Sequence, residues 1–152
     1  DIALEGRYLR RPISVCDYDA TTLTLIYKVV GEGTAQMSRM AAGGELDLLT
    51  GLGNGFDVHN AAQRPLLVGG GVGVPPLYNA ECRPEFDYFY ACGPLPMLRA
   101  LCDAVQQDGQ LSFEERMGCG FGACMGCSCK TKYGNKRICK EGPVLTKGEV
   151  IW

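Results

Sequence analysis

Four cysteines near the C-terminal end of the chain have a spacing that suits a metal centre. They are Cys119, Cys124, Cys127 and Cys139, and they follow the pattern C-x4-C-x2-C-x11-C. Plant-type 2Fe–2S clusters are held by four thiolates, and their ligands begin with the same C-x4-C-x2-C spacing. The pattern therefore predicts an iron–sulfur cluster and makes electron transfer the first functional hypothesis.

The loop that carries these cysteines is rich in glycine. Gly118, Gly120, Gly122 and Gly126 stand beside the first three cysteines. Glycine adopts positive φ without strain and has no Cβ to obstruct an inorganic core. Main-chain amides of such a loop can point at the sulfurs and stabilise their negative charge, as in other anion-binding loops.

Three alternatives to this ligand set stay open. Cys129 could replace Cys127, although C-x4-C-x4-C fits the cluster spacing less well. A zinc site usually uses paired C-x2-C units, and Cys124 with Cys127 forms one such pair here. Disulfides are the third alternative, but nine cysteines are an odd number, which leaves one unpaired in a monomer.

The composition indicates one or two small domains and argues against two kinds of partner. The chain has 152 residues, of which 46% are hydrophobic, enough to build a core. The net charge of −2 and the absence of a basic run give no reason to expect nucleic acid. No apolar stretch approaches the length of a membrane span. We expect a cytoplasmic protein.

The first 59 residues predict β structure. Residues 22–30 (TLTLIYKVV) are rich in β-branched and aromatic types and alternate at their start, which indicates a strand. Residues 11–16 and 45–49 are shorter candidates, whereas residues 36–40 predict one or two turns of helix. Short strands separated by glycine turns favour a small barrel or sandwich.

The middle of the chain predicts a nucleotide-binding arrangement. Residues 65–68 (PLLV) form a short apolar run, and the glycine loop 69–73 (GGGVG) follows at once. A glycine loop directly after a buried strand is where α/β folds bind phosphates. Pro75 and Pro76 suit the first turn of a following helix.

A second strand and a helix come next. Residues 86–91 (FDYFYA) predict a strand that ends in a second glycine-containing loop, Cys92-Gly93-Pro94. Residues 95–105 have apolar side chains at helical spacing, and Asp108-Gly109 ends that pattern. The repeated order of strand, loop and helix strengthens the interpretation of the glycine loops.

Six motifs, taken in chain order, identify a family. They are R-P-I-S at Arg11 to Ser14, I-Y-K with G-E-G-T at 26–34, L-G-N-G-F at 52–56, G-G-G-V-G-V-P-P at 69–76, C-G-P at 92–94, and the cysteine array with E-G-P-V at 141–144. In this order the sequence resembles the electron-transfer subunits of B-type dihydroorotate dehydrogenases, members of the ferredoxin-reductase-like superfamily. The resemblance covers nearly the whole chain.

The resemblance implies three cofactors, which are FAD, NAD and a 2Fe–2S cluster, and it supplies no catalytic residue. The implied FAD-binding residues are Arg11, Pro12, Ile13, Ser14, Ile26, Tyr27, Lys28, Gly33 and Thr34. The implied NAD-binding residues are Gly71, Gly73, Cys92 and Gly93. An arginine fork matches phosphate oxygens, which suits Arg11 to a flavin diphosphate. Tyr27 could stack on the flavin or pack as an ordinary strand tyrosine.

The implied fold is α+β and multidomain. Residues 1–59 would belong to a flavin-binding β-barrel, residues 60–112 to a Rossmann-like α/β nucleotide domain, and residues 113–152 to a C-terminal 2Fe–2S loop domain. The chain is shorter than the family, so the first two domains would be partial. We expect the family's further segments to fall near residues 6–8 and 80–81.

The resemblance also implies a function. Electrons would pass from dihydroorotate through the FMN of a catalytic subunit, the cluster and FAD to NAD⁺, in pyrimidine biosynthesis. The complex would hold two copies of each subunit. The alternative is the reductase subunit of an NAD(P)H-dependent ferredoxin oxidoreductase or a sulfide dehydrogenase. A zinc-binding interaction module is the non-enzyme alternative.

Overall fold

The computed structural model describes residues 1–59, 63–73 and 86–152. Within those ranges the chain is an α+β structure with eight strands and two α-helices. The elements are β1 (Val15–Tyr18), β2 (Leu23–Leu25), α1 (Glu32–Met37), β3 (Pro65–Gly69), β4 (Tyr88–Cys92), α2 (Leu95–Ala104), β5 (Gly109–Ser112), β6 (Ser128–Thr131), β7 (Gly134–Arg137) and β8 (Val144–Thr146).

A four-stranded sheet organises the second half of the chain. Its order is β3-β4-β5-β8, with β3, β4 and β5 parallel and β8 antiparallel to β5. Parallel neighbours need a crossover connection, and α2 provides it between β4 and β5. The strands predicted at 65–68 and 86–91 and the helix predicted at 95–105 are confirmed, with ends moved by one or two residues.

Strand β4 lies at the centre of the core because it is buried on both faces. Phe89 and Ala91 pack with Leu98 of α2 on one face, and Tyr90 and Cys92 face the other way. A parallel strand covered on both faces has a continuous apolar run rather than an alternating pattern. The sequence FDYFYA has that character.

The N-terminal segment contains less strand than predicted. Residues 22–30 form only the short β2, which pairs with β1 in an antiparallel hairpin. Preference for strand reflects fit to a half-buried pleated surface, and Val29 and Val30 are exposed. The strand predicted at 11–16 is confirmed only at its end, where β1 begins at Val15. Its first residue, Arg11, and Leu48 of the strand predicted at 45–49 form isolated bridges with Ile2.

Helix α1 begins four residues before the predicted helix at 36–40. The Thr34 side chain explains this start, because its Oγ1 accepts the Val30 and Gly31 amides at 2.9 and 3.2 Å. It also donates to the Gly31 carbonyl at 3.0 Å. Gly31 and Gly33 obscured the helix in the sequence, since glycine is a weak helix former.

A glycine turn at residues 51–55 joins the N-terminal segment to the chain beyond the last cysteine. The Asn54 side chain donates to the Glu141 and Val144 carbonyls at 3.2 and 2.8 Å and accepts the Val144 amide at 2.8 Å. A Cβ on Gly53 would lie 2.4 Å from the Gly142 carbonyl oxygen, and Gly53 has a φ of +63°. Only glycine allows this close approach.

We expect the Asn54→Ala substitution to weaken this junction. It removes three side-chain hydrogen bonds, and a net value of about 1 kcal/mol for each predicts a loss of about 2–3 kcal/mol in the free energy of unfolding. Urea denaturation followed by circular dichroism measures the change. Asn135→Ala, at an exposed position of β7, is the matched control. Equal losses in the two variants would contradict the role given to Asn54.

No helix in the described part of the chain is long and apolar enough to cross a membrane.

Candidate metal centre and cofactor-binding loops

The β6–β7 hairpin brings two of the four predicted ligands together. Cys127 immediately precedes β6, and Cys139 follows β7 by two residues. The hairpin register pairs Ser128 with Arg137, so its two ends lie side by side. The Sγ atoms of Cys127 and Cys139 are 3.3 Å apart, and both residues are buried.

The other two ligands lie on the preceding loop. Cys119 is half-buried and Cys124 is exposed. The described residues hold no group of three or more His, Cys, Asp or Glu side chains gathered at one metal position. The closest thiols are those of Cys127 and Cys139. Two thiolates at about 2.3 Å on one tetrahedral metal lie about 3.8 Å apart, which is near the spacing of that pair.

Main-chain amides of the loop point at the sulfurs, as the glycine content predicted. Cys119 Sγ accepts the Ala123 and Cys124 amides at 3.2 and 3.4 Å. Cys124 Sγ accepts the Gly126 amide at 3.5 Å, and Cys127 Sγ accepts the Cys139 amide at 3.4 Å. The Cys124 amide and its neighbours lower the pKa of Cys119 to about 6. This donor set favours thiolates and suits an anionic cluster.

The glycines of the loop serve two different purposes. Gly120 and Gly122 have φ values of +78° and +93°, which side chains adopt only with strain. Gly118 instead gives space, because a Cβ there would lie only 3.2 Å from Cys124 Sγ, whereas a Cβ on Gly126 would meet the same sulfur at an ordinary 3.5 Å.

Cys129 lies on β6 and packs against the core that contains Phe113 and Leu145. Burial raises the pKa of its thiol. It also lines an apolar cavity of about 360 Å³ that Trp152 borders. The eight cysteines in the described ranges are all free thiols.

A second cavity, of about 320 Å³, brings together three of the predicted flavin residues. Arg11, Gly33 and Thr34 line it at the start of α1. The Arg11 side chain lies directly against Gly33, where a Cβ would be 2.1 Å from Arg11 Nε. Arg11 also donates to the Leu9 carbonyl at 2.6 Å.

Sequence reasoning missed Arg7, which lines the same cavity. Its guanidinium forms an ion pair with Glu32 and donates to Gln36 at 3.4 Å. Two guanidinium groups and the Glu32 carboxylate line the cavity, so its net charge is positive, as a diphosphate requires. The spacing of the sequence did not indicate Arg7, because only folding places it beside the start of α1.

The remaining predicted flavin residues do not line this cavity. Ile13 and Tyr27 pack partly buried against a small core of Ile2, Leu4 and Met37. Tyr27 therefore packs against this core, and its stacking on a flavin stays a prediction. The other four predicted flavin residues are exposed on the adjacent segments of the chain; they are Pro12, Ser14, Ile26 and Lys28.

The loops after β3 and β4 meet at one edge of the sheet. The Gly70 amide donates to the Cys92 carbonyl at 2.9 Å, and a Cβ on Gly73 would lie 2.0 Å from that carbonyl oxygen. A Cβ on Gly93 would lie 3.2 Å from the Gly70 nitrogen. Ligands of parallel sheets bind beyond the carboxyl ends of the strands, so this edge suits a nucleotide.

The Cys92 side chain at this edge is buried, and burial raises the pKa of its thiol.

The predicted helix start at Pro75 and Pro76, and the junction predicted at residues 80–81, lie outside the described residues. The other predicted junction, at residues 6–8, is a turn in which the Arg7 amide donates to the Leu4 carbonyl at 3.1 Å.

Known proteins match both the cysteine-containing region and the overall fold of this chain. Residues 114–151 match the family model of the iron–sulfur cluster binding domain of dihydroorotate dehydrogenase B. The solved structure of an NADH-dependent reduced ferredoxin–NADP oxidoreductase has the same fold, with a TM-score of 0.83 and 21% identity. That match covers 99% of this chain and 77% of the other.

Curated relatives match nearly the whole chain. The dihydroorotate dehydrogenase B (NAD(+)) electron transfer subunits of Fusobacterium nucleatum and Bacillus caldolyticus are 35% and 36% identical to it, over 93% and 94% of this chain and 80% of each relative. The first alignment runs over 207 positions, so that relative carries internal residues without a counterpart here. The chain belongs to the family of electron-transfer subunits of dihydroorotate dehydrogenase B.

Proposed function

We propose that this chain holds a 2Fe–2S cluster, FAD and NAD, and links the FMN of a catalytic subunit to NAD⁺ during oxidation of dihydroorotate to orotate. The cluster ligands are Cys119, Cys124, Cys127 and Cys139. The observation that carries the proposal is the close Cys127–Cys139 thiol pair beside a loop whose amides donate to cysteine sulfurs. This site lies within the matched cluster-binding region.

The cavity at the start of α1 is proposed to hold the FAD diphosphate. Arg11 and Arg7 supply positive charge, while Gly33 and Thr34 supply main-chain amides at the start of α1. When bound, a flavin exchanges two electrons with a nicotinamide and single electrons with an iron–sulfur cluster, so it can join the two. Pro12, Ile13, Ser14, Ile26, Tyr27 and Lys28 are proposed to contact the rest of the flavin.

The sheet edge formed by Gly71, Gly73, Cys92 and Gly93 is proposed to hold NAD. The proposed domains are a partial flavin-binding β-barrel over residues 1–59, a partial Rossmann-like domain over 60–112 and a cluster domain over 113–152. Strand β8 of the last domain completes the central sheet through β5. The partner is the FMN-containing catalytic subunit, in a complex with two copies of each chain.

We expect the Arg11→Gln substitution to weaken FAD binding by about 10- to 100-fold, since a hydrogen bond to a charged group is worth about 1.5–3 kcal/mol. Fluorescence titration of the flavin-free protein with FAD measures the change. Arg10→Gln is the matched control, because Arg10 is engaged by Asp47 through two hydrogen bonds of 3.0 and 2.9 Å. A similar loss in both variants would point to general destabilisation.

The test of the function is the visible spectrum of the purified complex. A yellow-brown protein with flavin and 2Fe–2S bands, co-purifying with an FMN protein active on dihydroorotate, supports the proposal. A colourless protein that contains zinc overturns it in favour of an interaction module. A large partner with several 4Fe–4S clusters overturns the choice of partner and favours a ferredoxin oxidoreductase.

A further inference from the structure

Arg137 connects the two halves of the cysteine array. It ends β7, two residues before Cys139, and its NH1 donates to the Gly122 carbonyl at 2.7 Å. Gly122 lies on the other side of the array, between Cys119 and Cys124. One guanidinium therefore joins the hairpin that carries Cys139 to the loop that carries the first two cysteines.

A carboxylate fixes the Arg137 side chain in place. Glu141 Oε2 accepts from Arg137 Nε at 2.9 Å, and Oε1 accepts from the NH2 group. The same carboxylate accepts the Arg137 main-chain amide at 2.8 Å. This two-pronged pairing orients the guanidinium plane and directs an NH1 N–H bond toward Gly122.

The peptide unit that Arg137 contacts also faces a cysteine. The Gly122 carbonyl shares this planar unit with the Ala123 amide, which donates to Cys119 Sγ at 3.2 Å. Gly122 has a φ of +93°, and a Cβ there would lie 2.6 Å from Lys140 Cδ. The peptide is therefore held from both ends in a conformation that glycine alone adopts easily.

Hydrogen bonds to the sulfurs are among the factors that set the reduction potential of an iron–sulfur cluster. An amide that donates to a sulfur stabilises the reduced cluster, because that form is the more negative. The orientation of the Ala123 amide depends on what the Gly122 carbonyl accepts, since the two groups belong to one planar peptide unit.

We propose that Arg137 is a positioning residue that holds the Ala123 amide toward Cys119 and so raises the reduction potential of the cluster. The inference rests on the proposed function, since it requires the cluster. The action of Arg137 lies in its planar fork more than in its charge, because Glu141 already balances that charge.

The decisive variant is Arg137→Lys, which keeps the positive charge and removes the planar guanidinium group. Redox titration of the holo complex, followed by electron paramagnetic resonance of the reduced cluster, should give a more negative potential than in the wild type. Arg116→Lys is the matched control, at an exposed site three residues before Cys119, and should leave the potential unchanged. An intact cluster with wild-type potential in Arg137→Lys overturns the proposal.

A second measurement covers the case in which the variant loses its cluster. Amide hydrogen exchange in the metal-free chain should be faster at residues 119–124 in Arg137→Lys than in the wild type or Arg116→Lys. Unchanged exchange there overturns the positioning role. A wild-type protein without cluster bands would instead reject the proposed function, and the exchange comparison would still decide the role of Arg137.

Discussion

The Cys139→Ser variant is expected to lose the cluster absorption bands and to keep those of the flavin. Cys139 lies 3.3 Å from Cys127, measured between the Sγ atoms, in the buried part of the array. A serine hydroxyl is close in size but does not ionise to replace a thiolate ligand. The cavity proposed to hold the flavin diphosphate is lined by other residues, so flavin binding should survive. The visible spectrum and the iron content of the purified complex measure the outcome.

Cys129→Ser is the matched control for that experiment. Cys129 packs against the core on β6, and we expect its variant to keep full iron content. A variant at Cys139 that still holds an intact cluster would show that the fourth ligand is another residue. If Cys129→Ser loses the cluster while Cys127→Ser keeps it, the result favours the alternative C-x4-C-x4-C ligand set, in which Cys129 replaces Cys127.

The Gly73→Ala substitution should separate the loops that follow β3 and β4. The new Cβ would lie 2.0 Å from the Cys92 carbonyl oxygen and 2.5 Å from its carbon, which are backbone atoms with little freedom to move. Forced overpacking of a tight site costs about 1–3 kcal/mol, so we expect a loss of that size in unfolding free energy. NADH titration should show binding weakened by at least about 10-fold, because the edge of the sheet changes shape.

Gly148→Ala is the control, since a Cβ there meets no atom within 4 Å. It should leave both urea denaturation and NADH binding close to wild type. If Gly73→Ala behaves in the same way, the two loops do not need their close approach, and the proposed nucleotide edge loses its main support.

Features encoded by local spacing could be predicted from the sequence. The cysteine array, the glycine loop after β3 and the helix α2 all depend on residues near one another in the chain. The α+β class was implied by the family resemblance of the motifs. The continuous apolar run of β4 also identified a strand, although it could not show that both of its faces are covered.

Features that depend on distant contacts were missed or overestimated. The strand at 22–30 is shorter than its composition predicted, because strand preference depends on the neighbours that a segment finds. Arg7 reaches the cavity at α1 only through the fold. Arg137 and Asn54 likewise donate to main-chain carbonyls that are distant in sequence, and no residue pattern predicts such contacts.

The pairing of β8 with β5 has a consequence for repair of the protein. All four cysteines lie between these two strands, which are neighbours in the sheet, so the array is an excursion anchored at both ends. Loss of an iron–sulfur centre would then leave β5 and β8 paired on either side of the excursion. We expect a chain that has lost its cluster to keep its central sheet folded, so that a new cluster could be built in place.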